Sequence, residues 1–166
     1  MTITEVDEYS GNKTHRAYIG GFIGGNSTTV CKLSDCAAIG NVTVVVKRSY
    51  NVFVGGFAGR LTQGSVITNC VYVPGEQFVD DQGNVTADGV MVTLMGPDAL
   101  GEGEEVTVQK ANVGLVIGYV DSNVKLTNVF AYADKFVCNP VASEANQITV
   151  NASTVSTDLS GLSSPN

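Results

Sequence analysis

Apolar residues in this chain come in short runs broken by glycines and polar turns. Val42–Val46 (VTVVV) and Val52–Val54 read as strands around a turn at Lys47–Asn51. Met91–Met95 (MVTLM), Val106–Val108 and Gln147–Val150 read as further strands. Gln77–Val79 and Asn84–Thr86 flank Asp80-Asp81-Gln82-Gly83, which reads as the tip of a hairpin. Gly96-Pro97-Asp98 and Gly101–Gly103 read as turns. No stretch sustains a helical period.

The pattern repeats itself. Copy one starts at Tyr18 and reads YIGGFIGGNSTTVCKLSDCAAIGNV. Copy two starts at Phe53 and reads FVGGFAGRLTQGSVITNCVYV, and copy three starts at Asn112 and reads NVGLVIGYVDSNVKLTNVFAY. Gly20, Gly55 and Gly114 correspond, as do Gly24, Gly59 and Gly118. Further on, Asp35, Asn69 and Asn128 correspond, followed by Cys36, Cys70 and Val129. Copies two and three align without a gap, and copy one carries one extra residue before its second half. The linkers vary while the motif keeps its length, which marks a packing unit. Glycine at a fixed place permits positive φ or a close backbone approach. Asn or Asp at a fixed place suits a turn, because its side chain bonds nearby backbone. Stacked copies would share one apolar interior that a single copy cannot form.

This pattern, G-G-[FL]-[VIA]-G, a polar loop, then [IL]-[ST]-[ND]-C, resembles the GLUG motif of large bacterial surface proteins, adhesin-like proteins among them. The likeness covers about half the chain. Copy three departs from it, with Leu115 for the second glycine and Val129 for the cysteine. The resemblance implies a structural, non-catalytic β-solenoid or β-helix-like stack in a secreted or surface-bound protein.

Composition supports strands. The chain has 166 residues, long enough for a domain with its own core. Val numbers 26 against 8 Leu, and β-branched residues favour pleated strands. Nineteen Gly against four Pro fit many tight turns. The formal charge of −7 repels phosphate backbones and anionic lipid, so nucleic acid is not an expected partner. There is no apolar run of membrane-spanning length. Residues 1–10 do not read as a signal peptide, so the chain is either intracellular or a segment of a longer secreted protein, and the repeat favours the second reading. Residues 74–110 hold eight acidic side chains against Lys110 alone and so carry the whole net charge. They read as an acidic insertion between copies two and three.

Asp80, Asp81, Asn84 and Asp88 are the candidate binding residues. Asp80, Asp81 and Asp88 offer oxygens to a calcium ion, although their spacing completes no calcium-loop signature. The bland alternative is a solvated turn. Cys31, Cys36, Cys70 and Cys138 include no Cys-x-x-Cys pair, which argues against zinc. An even count in a secreted chain leaves disulfides as the alternative, but Cys36 and Cys70 sit at equivalent positions and are expected to pack as buried free thiols. The single histidine, His15, beside Arg16, has no nucleophile at a telling spacing. Tyr9, Tyr18, Tyr50, Tyr72, Tyr119 and Tyr132 are candidates for sugar stacking, with ordinary half-burial as the alternative. Asn12, Asn26, Asn41, Asn84 and Asn151 open Asn-x-Ser/Thr triplets, which turns favour in any case.

The sequence therefore predicts an all-β fold: a short parallel β-solenoid or β-helix-like stack of three Gly-rich repeats with an inserted acidic hairpin, the alternative being a β-sandwich. One repeat domain is expected over residues 1–142, with copies near 18–44, 53–73 and 112–133. A terminal strand and a Ser/Thr-rich tail are expected over 143–166. The expected role is a non-catalytic repeat module of an extracellular, adhesin-like protein that contacts neighbouring repeats. The alternative is a glycan- or protein-binding module acting through 74–110, and a polysaccharide-acting enzyme is the third reading.

Overall fold

The computed structural model describes residues 2–6, 16–25, 29–46, 51–94, 110–131, 137–140 and 147–150. Several sequence readings lie outside the described residues: His15, the turn at 47–50, the segment 95–109 with its turns and its strand at Val106–Val108, and the tail beyond 150.

Among the described residues the chain is all β. Strands β1 (Thr2–Val6), β6 (Val42–Val46), β12 (Val90–Leu94) and β16 (Val137–Pro140) form one four-stranded sheet. A second contains β2 (Arg16–Gly20), β7 (Asn51–Gly55), β13 (Lys110–Gly114) and β17 (Gln147–Val150). β3 (Ile23–Gly25), β8 (Ala58–Leu61) and β14 (Ile117–Val120) form a third. In the fourth, β9 (Val66–Val73) lies between β4 (Lys32–Ser34) and β15 (Lys125–Ala131), with β5 (Ala37–Ile39) also beside it. β10 (Phe78–Val79) and β11 (Val85–Ala87) make an antiparallel pair.

Equivalent strands of the three copies pair in parallel and in register. Gly20 pairs with Gly55, and Gly55 with Gly114. Leu33 pairs with Ile67, and Ile67 with Leu126. The corners between strands also bond from copy to copy: Gly21 N–H donates to Gly56 O (3.1 Å), and Gly56 N–H to Leu115 O (3.0 Å).

The β-solenoid or β-helix-like expectation is corrected here. The strands lie in separate open sheets of two to four strands, parallel except for the β10–β11 pair, and none of them curls round or closes on itself. β2 and β7 stop at Gly20 and Gly55, and the chain turns before β3 and β8 begin in another sheet, so each parallel sheet is built only of corresponding strands from successive turns of the chain and is as short as their number. Parallel pairing of equivalent strands is not the Greek-key sandwich either.

The interior is built from β-branched and aromatic side chains. Val44, Val52, Val54, Phe57, Ile67 and Tyr72 are fully buried. Each such side chain contributes about 1.5–3 kcal/mol through removal of apolar surface from water. Strict alternation along β9 would turn Asn69 inward after Ile67. Instead Asn69 takes a left-handed φ of 52°. This bend resets the phase, so Cys70 and Tyr72 face the core while Asn69 stays exposed. Asp35 (φ 58°) and Asn128 (φ 51°) bend the same way. Short polar side chains tolerate this conformation better than branched ones.

Candidate binding site

The bends stack into a polar ladder on the outer face. Asn128 Nδ2 donates to Asn69 Oδ1 (3.0 Å), and Asn69 Nδ2 donates to Asp35 Oδ1 (3.0 Å). All three residues are exposed, and their side-chain hydrogen bonds run along the stack. Gly59 and Gly118 serve close packing: a Cβ at Gly59 would meet Ile19 O at 2.8 Å, and one at Gly118 would meet Val54 N at 2.6 Å. Gly24 would likewise meet Tyr18 O at 2.6 Å.

The cysteines divide by position. Cys70 lies inside the stack and is buried, and burial raises its thiol pKa. Cys36 and Cys31 are half-buried, and all three are free thiols. Cys36 thus differs from the buried thiol expected at its position. Its neighbouring strands β4 and β5 pair only with β9, so no second strand covers them among the described residues. The side chain of Cys138 lies outside the described residues.

The insertion leaves the stack at Pro74 and returns at β12, and Asn41 holds both ends. Asn41 is buried at 9% exposure. Its Oδ1 accepts from Gly75 N–H and from Gly89 N–H, each at 2.9 Å, and its Nδ2 donates to Glu76 O (2.6 Å). One amide therefore clamps the departing and the returning chain. In the sequence Asn41 stands out only as the start of an Asn-x-Thr triplet. Burial and these bonds remove it as a glycosylation acceptor. The Gly40-Asn41 pair between strand-like runs was the only signal for its role.

Above the clamp stands the β10–β11 hairpin. Asp80 organises its tip. Asp80 Oδ1 accepts from Gln82 N–H (3.0 Å) and Asn84 N–H (2.8 Å), and Oδ2 accepts from Asn84 Nδ2 (2.9 Å). Gly83 completes the turn at φ 84°. The amide of Asn84, followed by the backbone donors, lowers the Asp80 pKa from its ordinary value. Asp81 is exposed at the same tip. Asp88 is elsewhere: it is buried at the hairpin base, where its Oδ2 accepts from Gln77 Nε2 (2.9 Å). Asp80 and Asp88 therefore serve opposite ends of the hairpin. Among the described residues no group of three or more His, Cys, Asp or Glu side chains is placed to hold a metal.

A lowered carboxyl pKa makes the tip sensitive to acid. Its stabilisation is complete above the ordinary carboxyl range and is lost as pH falls through the depressed folded value. NMR titration is expected to show Asp80 retaining its charge below the ordinary carboxyl midpoint. Asn84→Ala is expected to move its titration midpoint upward, towards the ordinary value. An unchanged midpoint would show that the Asn84 amide does not hold the carboxylate in solution.

Nothing in the sequence pattern marks Phe78 and Val79 as surface residues, yet they are 59% and 58% exposed. Adjacent strand residues point to opposite faces, so both faces of the hairpin present an apolar side chain to solvent. Phe78 and Val79 belong to a run that reads simply as a strand. Exposure on both faces follows because no third strand pairs with the hairpin among the described residues.

Comparison with protein families matches residues 15–43, which contain most of copy one, to the GLUG motif. Neither the curated proteins nor the solved structures gave a match. The chain is thus a repeat-bearing all-β protein with a GLUG-motif region.

Proposed function

We propose that this chain is a non-catalytic module of a bacterial surface protein, and that it binds a protein partner through the hairpin at 78–87. The observation that carries this reading is the pair Phe78 and Val79, exposed on a hairpin whose base is clamped by Asn41. An isolated apolar side chain on a surface is ordinary. Two large ones on a two-stranded arm, held at a defined angle, are preorganised to insert into a partner. Exposed Glu76 and Asp81 flank them, so a partner surface combining an apolar pocket with basic residues would be complementary. The GLUG-motif region supports an extracellular setting, since such motifs occur in bacterial surface proteins.

The test is direct. The full chain is measured by surface plasmon resonance against a panel of purified extracellular-matrix proteins, beside a glycan array. A matrix protein is expected to bind, and Phe78→Ser/Val79→Ser is expected to weaken it about tenfold or more, a loss of about 1.4 kcal/mol or more. The circular dichroism spectrum should not change. Binding that survives the double substitution, or hairpin-dependent binding of a glycan alone, would overturn the proposal.

A further inference from the structure

We propose that a second surface, built by Tyr18, Phe53, Arg60, Tyr119 and Asp121, is a binding site for a neutral oligosaccharide. It lies on the stack itself, apart from the hairpin sequence, and it does not rest on the protein-binding reading above.

Two columns of residues meet there. Tyr18 pairs with Phe53 across β2 and β7, and Arg60 pairs with Tyr119 across β8 and β14. The Tyr18 and Phe53 rings stack at 5.2 Å, and Tyr119 meets Phe53 edge-on at 5.4 Å. The Arg60 guanidinium lies 5.6 Å from the Tyr18 centroid and 5.8 Å from that of Tyr119. It donates to the Tyr18 hydroxyl (3.0 Å) and to Asp121 Oδ2 (2.9 Å). Gly25, opposite Arg60 in register, makes room for this. A Cβ there would meet Tyr18 Cβ at 2.8 Å.

The arrangement matches the chemistry of a pyranose. A sugar ring has an apolar C–H face that packs on an aromatic ring, and hydroxyls that both donate and accept. Tyr119 is 38% exposed and offers such a ring. Asp121 Oδ1, the Tyr18 hydroxyl proton and the outer guanidinium N–H groups supply fixed acceptors and donors beside it. The charges of Arg60 and Asp121 compensate each other, leaving no surplus cation to hold an anionic ligand. The net charge of −7 adds general repulsion of polyanions. A purely structural lock would pair every donor, but Arg60 Nε is buried and has no hydrogen-bond partner among the described residues.

Cellohexaose, mannohexaose, maltohexaose and an oligogalacturonate are titrated into the full chain, with amide and aromatic NMR shifts as the readout. At least one neutral hexasaccharide is expected to shift Tyr18, Arg60 and Tyr119 selectively. Tyr119→Ala is expected to weaken it about tenfold or more, Tyr119→Phe to leave it within about threefold, and Asp121→Asn to weaken it. The chain contains no tryptophan, so tyrosine fluorescence gives an independent readout. Phe78→Ser should leave sugar binding unchanged, which separates this site from the hairpin. The proposal is overturned if no neutral sugar shifts these residues at millimolar concentration. It is equally overturned if binding is insensitive to both Tyr119→Ala and Asp121→Asn, or if the oligogalacturonate binds more tightly than every neutral sugar.

Discussion

Replacing Gly55 by alanine is expected to remove a large share of the fold's stability, whereas the same change at Gly83 should cost far less. A Cβ at Gly55 would strike Ala58 O, and would lie 2.7 Å from Val116 O and 2.8 Å from Gly118 N. All three obstacles are backbone atoms, and two belong to the next copy. Neither side can yield without breaking the ladder that joins Gly55 to Gly20 and to Gly114. Overpacking a close-packed interior typically costs about 1–3 kcal/mol when side chains can adjust. Here the obstruction is backbone of the central copy itself and of the next, so a loss above about 4 kcal/mol is expected. That is a large share of the about 5–15 kcal/mol that holds a typical domain folded. Gly83 supplies the contrast. Its Cβ would meet nothing within 4 Å, and the cost there is confined to its φ of 84°. Urea denaturation followed by circular dichroism reads both variants. A Gly55→Ala protein that unfolds at the wild-type midpoint would show that the copies do not pack this closely.

The second large effect is expected at Asn41. Asn41→Ala removes the acceptor for Gly75 N–H and Gly89 N–H and the donor to Glu76 O. Orphaning a buried donor costs about 1–3 kcal/mol. Gly89 is buried, while Gly75 is partly buried and can recover some of its loss from water. A total of about 2–4 kcal/mol is therefore expected. Hydrogen exchange at Gly75 and Gly89 should accelerate more than exchange at Val54 or Ile67, which lie in other sheets. Asn41→Asp keeps an acceptor for both N–H groups but sets an oxygen against Glu76 O, so it should recover only part of the stability. Binding by the hairpin should weaken with either substitution, because the clamp sets the angle at which Phe78 and Val79 are presented. If exchange at Gly75 and Gly89 is unchanged in Asn41→Ala, the amide does not anchor the insertion.

Much of this was open to reading along the chain, and the particular residues explain why. Gly20 and Gly55 recur because backbone meets backbone there, and no other residue lacks the Cβ that would intervene. The bends at Asp35, Asn69 and Asn128 recur because few residues tolerate a left-handed φ. The strands at Val42–Val46 and Gln147–Val150, and the hairpin tip at Asp80–Gly83, follow from β-branched runs and local turn chemistry. Local sterics leave a signature in one dimension because the residue that satisfies them is itself the cause.

What local pattern did not determine was how the ladders end and what lies beside them. The sheets stay open because none pairs its first strand with its last, a matter of which distant strands meet. Asn41 became an anchor only because the insertion departs and returns beside it. Asp80 and Asp88, both acidic and eight residues apart, were separated to the two ends of a hairpin by strand pairing. Arg60 met Tyr18 and Tyr119 only through the register of parallel strands. Short-range conformation is set by the residue and its neighbours, so composition and spacing determined it. Contacts between residues dozens of positions apart depend on which strands pair and in what phase, and only the tertiary structure decided those.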